Sequence, residues 1–263
     1  MENVKFRRGI MRRRPYFSIS FILALVLCLA WSTIAQTKDK PITLDTDPNL
    51  AGWWKFDETS GKTAADSSKH QREGILTGDL SFNKSSVKGR IGKALKLDGE
   101  EYVEIAKYKG ITGSKPRAVT AWLKTKKSDG EITSWGANDF GQMWTCGFIR
   151  RHIGLSPRGG YYYMNDEVHD DKWHHVAIVL LEAELPNLHD DVRLYKDGEL
   201  AEIHDIGLLD LWPVNTGKEL DVRIGSEFTG LLDDVRIYNR VLSDEEVKAI
   251  FQLKSDQPLP KTK

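Results

Sequence analysis

The sequence predicts an all-β sandwich of two antiparallel sheets closed by a short C-terminal helix. Three observations predict it. Short runs that alternate apolar and polar residues recur between clusters of turn formers, as in residues 118–124, 172–180 and 235–238. Asp197-Gly198, flanked by 192–196 and by Glu199-Leu200, is a strong short-range hairpin signal. Eight Trp and 22 Gly among 263 residues suit a β-rich chain with many turns.

Composition narrows the rest. With 38 basic and 38 acidic residues the formal charge is zero, so no net basicity favours nucleic acid or an anionic surface. Residues 1–35 read as a secretory signal peptide. Arg7, Arg8, Arg12, Arg13 and Arg14 form a basic start, 17–34 are apolar, and Thr33-Ile34-Ala35 before Gln36 forms a cleavage site. The other reading is an uncleaved anchor, near the lower length limit for spanning, and the only route to a membrane. Either way the protein is expected to be secreted, periplasmic or in the cell envelope. Past the signal only Cys146 remains, a buried thiol or half of an intermolecular bridge. Residues 36–48 are polar and read as a linker, 49–253 as the domain, and 254–263 as a tail.

The elements follow in order. Residues 50–57 form the first strand, with Trp53, Trp54 and Phe56; a loop of turn formers leads to a second at 74–76. Residues 92–98 and 102–105 read as two strands about a turn at Asp98-Gly99. Residues 118–124 form a core strand, and 131–164, rich in Gly and aromatics, hold two or three more. Residues 172–180 add a strand, 192–200 a hairpin and 220–225 another strand. Residues 230–238 close the sheet, with Val235 and Ile237 alternating against Arg236 and Tyr238. Ser243 with Glu246 is a capping box that starts a helix; Leu242 and Val247 make its staple, and Val247, Ile250 and Phe251 its apolar face.

Five stretches carry a resemblance. They are Trp54-Lys55-Phe56-Asp57-Glu58 with Ala64-Ala65-Asp66-Ser67-Ser68; Gly92-Lys93-Ala94-Leu95-Lys96-Leu97-Asp98-Gly99; Trp173-His174-His175-Val176-Ala177; Tyr195-Lys196-Asp197-Gly198; and Gly230-Leu231-Leu232-Asp233-Asp234-Val235-Arg236-Ile237-Tyr238. In this order the chain resembles the laminin-G-like, concanavalin A-like lectin/glucanase domains of secreted bacterial proteins, over residues 50–252. Arg72-Glu73 stand where the family usually has Asn or Asp before Gly74. The resemblance implies a concanavalin A-like jelly-roll sandwich whose first and closing strands are neighbours.

It also implies sites. Related domains often carry one structural Ca2+, and Asp57, Asp66, Asp233 and Asp234 lie at strand ends that the resemblance brings together; carboxylates and carbonyls are what calcium takes. The alternative gives Asp66 a loop cap, Asp57 a turn bond, and Asp233 or Asp234 an ion pair with Arg236 or Arg223. Sugars bind lectin-like sandwiches by stacking on rings while polar groups read hydroxyls. That points to Trp135, Asn138, Trp144, Arg150 and Tyr162 as ligand-binding residues, with Ser134-Trp135-Gly136 the exposed part, against core packing for most of the aromatics, Trp212 among them. A glycosidase needs two facing carboxylates, and the Glu-x-Asp-x-Glu of family-16 glucanases is missing, so no enzyme activity is expected. His169, His174 and His175 fit no zinc spacing. The expected function is noncatalytic binding of a polysaccharide or cell-surface glycoprotein. The alternatives are a structural or adhesive envelope protein that binds another protein, and a divergent polysaccharide-degrading enzyme.

Overall fold

The computed structural model describes residues 43–253; the leader, residues 36–42 of the linker and the tail lie outside them. Two antiparallel sheets stack face to face. The first has the order β14 (Glu199–Leu200), β13 (Val192–Lys196), β12 (His174–Leu180), β7 (Arg117–Lys124), β17 (Thr229–Tyr238), β5 (Lys93–Asp98) and β4 (Ser86–Lys88), and β1 (Leu50–Trp54) also pairs with β17. The second has the order β15 (Leu208–Leu209), β11 (Tyr161–Tyr163), β10 (His152–Ser156), β9 (Met143–Ile149), β8 (Glu131–Gly136), β16 (Leu220–Ile224), β6 (Val103–Ile105), β3 (Gly74–Leu76) and β2 (Thr63–Ala64).

Alternation builds the core. Val119, Ala121 and Leu123 of β7 and Val176, Ile178 and Leu180 of β12 face the second sheet, with Trp54 and Phe56 in the same cluster. The intervening residues face outward but are not wet. Ala118, Ala177, Val179 and Tyr238 join Val247 and Ile250 of the terminal helix (Asp244–Phe251) in a second buried cluster. The capping box is formed as the sequence requires, with Ser243 accepting from the Glu246 N–H. Phe251 stacks on Trp122 at 5.5 Å, so the helix covers the outer face of the first sheet.

The first and closing strands are neighbours, with Gly52 opposite Ile237 and Trp54 opposite Val235. Two sequence expectations are corrected. Asp98-Gly99 does not join a hairpin: β5 pairs in the first sheet and β6 in the second, so the chain crosses the core there. Residues 43–48 are no free linker: Leu44 is buried, and Asp45 and Asp47 pair with Arg236 and Arg240. By contrast Asp197-Gly198 makes its hairpin, Asp197 at φ 51° and Gly198 at φ 84°. A Cβ on Gly198 would press on Phe251, tying this turn to the terminal helix.

Candidate functional site

The four aspartates do not form one cluster. Asp66 folds its own loop onto β1: Oδ1 accepts from the Trp53 and Ser68 N–H groups at 2.9 and 2.8 Å, and Oδ2 from Ser68 Oγ and the Arg72 N–H at 2.8 and 2.7 Å. A bulge between Asp233 and Arg236 turns Asp234 (φ 50°) beneath Trp53. There Asp234 accepts from the indole Nε1 at 2.5 Å and from Arg236 Nε and Nη2 at 3.0 and 3.2 Å. These hydrogen bonds commit both carboxylates to the fold, so Asp66 and Asp234 are corrected as metal ligands.

Asp57 and Asp233 do converge, on the tip of the β4–β5 hairpin. Asp233 Oδ2 accepts from the Arg90 and Ile91 N–H groups, each at 2.8 Å, and Asp57 Oδ1 from the Lys93 N–H at 2.8 Å. Among the described residues Asp233 Oδ1 is buried with no partner. Burial, with Asp234 and Asp57 nearby, pushes the Asp233 carboxyl up to about 8. A buried, unpaired carboxylate oxygen beside a second carboxylate is chemistry that a hard cation satisfies. Among the described residues no three His, Cys, Asp or Glu side chains gather, so backbone carbonyls and water would have to complete such a site.

The aromatic candidates are also sorted by burial. Trp135 and Trp144 are cross-strand partners on β8 and β9, both fully buried, with rings stacked at 5.4 Å. Trp135 Nε1 donates to the Ile111 carbonyl at 3.1 Å. The residues expected to be most exposed are thus core, because a bulge between Glu131 and Thr133 resets the alternation and turns Trp135 inward. Tyr162 is half-buried against the inter-sheet core. Asn138 and Arg150 are exposed, but on turns at opposite ends of β9.

An exposed platform lies elsewhere. Phe140 and Trp212, 55% and 46% exposed, stack at 5.6 Å with planes 10° apart. Gly159 (φ 81°) lies under both rings; a Cβ there would come within 2.5 Å of Phe140 and 2.8 Å of Trp212. Arg158 lies 5.9 Å from the Phe140 ring and donates to the Asn138 carbonyl at 2.5 Å. The same loops border a groove of about 380 Å³, lined by Gln142, Asn215, Thr216 and Glu219 among others. The Asn215 N–H donates to the Gly141 carbonyl at 2.8 Å, and that of Gly217 to the Gln142 carbonyl at 2.9 Å, which locks the two loops together. Under them Arg117, fully buried, donates to Thr216 Oγ1 at 2.9 Å and the Gly113 carbonyl at 2.6 Å; burial pulls its guanidinium down to about 9. Rings beside amide, hydroxyl and carboxylate groups can stack a sugar face and read its hydroxyls. Sequence reasoning passed over this platform. Its signal was Trp212-Pro213-Val214-Asn215, a Trp within turn formers rather than within an alternating strand.

Residues 97–248 match the family described as the concanavalin A-like lectin/glucanases superfamily. The chain belongs to it. No curated protein sequence matches. Among solved structures, one similar fold is domain 4 of AbnA, a GH43 extracellular arabinanase from Geobacillus stearothermophilus, in complex with arabinotriose. It is 19% identical with a TM-score of 0.57, over 78% of this chain and 98% of that one. The binding domain of Paraclostridial Mosquitocidal Protein 1 is 14% identical with a TM-score of 0.52, and the receptor binding domain of botulinum neurotoxin D 15% with 0.51. The matches cover 77% and 78% of this chain, which spans 52% of each toxin domain. At these identities the superfamily neighbours share the fold alone. Among the described residues no helix is long and apolar enough to cross a membrane.

Proposed function

We propose that this is an exported, noncatalytic carbohydrate-binding domain whose ligand lies on the Phe140–Trp212 platform and reaches into the adjoining groove. The carrying observation is the solvent-exposed ring pair beside Gln142, Asn215 and Glu219. An exposed aromatic pair held from beneath by a glycine is a prepared stacking surface, since the rings give up little freedom on binding. The family and a neighbour of like fold solved in complex with arabinotriose support a glycan as the ligand. The test is calorimetry with arabinotriose and other neutral oligosaccharides, on the native protein and on Trp212→Ala. Trp212 is exposed, so the variant keeps its melting temperature and loses at least about tenfold in affinity, the effect of one lost stacking contact. Binding that survives the change would remove the platform from the function.

A protein partner is the second reading. Leu185 and Leu211, 72% and 62% exposed, extend the apolar surface around Trp212. Capture of one envelope protein with no glycan binding would favour it.

We also propose one structural Ca2+ at the β4–β5 tip, held by Asp57 and Asp233. Bound to the folded state alone, it would raise the melting temperature by mass action. A rise of several degrees in calcium over chelator, lost in Asp233→Asn, is expected; identical melts in both conditions would refute it.

A further inference from the structure

The terminal helix covers polar side chains that it does not satisfy. On the outer face of the first sheet His175 of β12 is opposite Trp122 of β7. Both are 1% exposed, and their rings lie 5.3 Å apart. Phe251, the last residue of the helix, closes over them, 5.5 Å from Trp122 and 6.2 Å from His175. Among the described residues neither ring nitrogen of His175 has a hydrogen-bond partner, nor has Trp122 Nε1, nor Thr120 Oγ1 two residues away on the same face of β7. The side chains that the helix buries are apolar, so each of these groups lacks the partner that water would supply.

Polar ties hold the helix mainly at its start. There Ser243 caps it, the Glu246 carboxylate accepts from Arg240 Nη1 and Nη2 at 2.7 Å each, and Asp244 Oδ1 accepts from the Tyr195 hydroxyl at 2.7 Å. Further along, among the described residues, the one side-chain tie is Lys248 to Glu199 at 2.7 Å, both well exposed and so contributing little. The last turn rests on apolar contact through Ile250, Phe251 and Leu253.

A proton on His175 would find no ready counter-ion. Burial pulls the imidazole down to about 4; Asp234 of β17 works against this, Arg236 of β17 adds to it, and Asp197 at the β13 turn works against it. Both carboxylates are already engaged, Asp197 by the His174 ring and the His175 N–H, Asp234 by Trp53 and Arg236. From β7 comes the Trp122 ring, with Arg90 over it at 4.6 Å and Asp233 opposite it on β17. From the helix comes Phe251, and the nearby charge of Lys248 is spent on Glu199 of β14.

We propose that the last turn of the terminal helix is an acid-released lid: protonation of His175 lifts Phe251 and admits water to the imidazolium, while the start of the helix stays tied to Arg240 and Tyr195. The closed lid makes the ring hold its proton less tightly than in the open, wet state. The closed state therefore has its full advantage above about pH 6.5 and loses it as pH falls toward about 4. The lifted turn uncovers Trp122 and the adjoining outer face of β7 and β12.

The test is hydrogen–deuterium exchange of the native protein between pH 7.5 and pH 5, read on peptides over residues 243–253 and corrected for the intrinsic exchange rate at each pH. Opening of the helix should rise about 30-fold over that range, the ratio set by values of about 4 closed and 6.5 open. In His175→Phe and His175→Gln, which take up no proton there, opening should stay flat. Thermal melts check that the variants fold, and either one that does suffices. Flat exchange in the native protein, or a rise that persists in the variants, overturns the proposal. So does an equal rise in peptides from β7 and β12, which would mean that the sheet opens rather than the helix.

Discussion

Replacing Asp234 with alanine tests the network that joins the first strand to the closing strand. Asp234 holds the Trp53 indole and two nitrogens of Arg236, whose side chain is 2% exposed. Without Asp234 the guanidinium keeps Asp45 at 2.9 Å, a carboxylate 35% exposed, the Tyr238 hydroxyl at 3.5 Å and the face of the Trp53 ring. Removing one partner of a buried pair costs about 3–5 kcal/mol. The orphaned indole N–H adds about 1–3 kcal/mol. Alanine at φ 50° adds roughly 1 kcal/mol. These terms share one relaxation and do not add in full, so about 4–6 kcal/mol is expected, against a domain stability of about 5–15 kcal/mol. Asp234→Asn keeps an acceptor and tolerates the backbone, and should cost about half as much. Urea unfolding followed by tryptophan fluorescence measures both. Asp234→Ala with Arg236→Met should recover much of the loss, because the stranded charge is gone. A loss below about 1 kcal/mol for Asp234→Ala, or a double variant no better than the single, would refute the reasoning.

Three further outcomes are expected. Trp144→Ala should destabilise by about 3–5 kcal/mol through the cavity it leaves beside Trp135; a normal urea midpoint would show that the ring is not core. His174 lies between Asp197 (2.8 Å) and Asp170 (3.0 Å), and hydrogen bonding to Asp197 and then Asp170 raises its pKa against burial. Its folded value lies above its unfolded value, so its contribution is complete below about pH 6.5 and is lost as pH rises through the folded value; melts across that window should show the loss, and His174→Gln should flatten it. Cys146 is fully buried, with its thiol pushed by burial up to about 12, so a thiol reagent should label it only in denaturant.

Local signals in the sequence were reliable where the physics was local. The Ser243–Glu246 box, the Asp197-Gly198 turn and the outward-inward alternation of residues 118–124 each depend on a few adjacent residues, and each formed as read. The failures depended on partners far away in the chain. Whether Trp135 faced solvent was decided by a bulge beside Glu131, and whether Asp98-Gly99 closed a hairpin by which sheet each flanking strand joined. Asp66 and Asp234 carried the right chemistry for an ion, but Trp53 and Arg236 claimed them first. Phe140 and Trp212 were hidden for the opposite reason. No strand periodicity marks a platform built from three loops, and only packing showed which of many aromatics the core had no room to cover.

The position of β17 has a consequence for how the protein comes to be made. It lies between β7 and β5 in the middle of its sheet, and it also receives β1, yet among the described residues it is the final strand in chain order. Leu50 must wait for Tyr238, with almost the whole domain between them. Pairings this distant in sequence make folding slow. A chain still lacking Thr229–Tyr238 has no partner for β1 and no bridge between β7 and β5, so the first sheet is completed only once this last piece has been made.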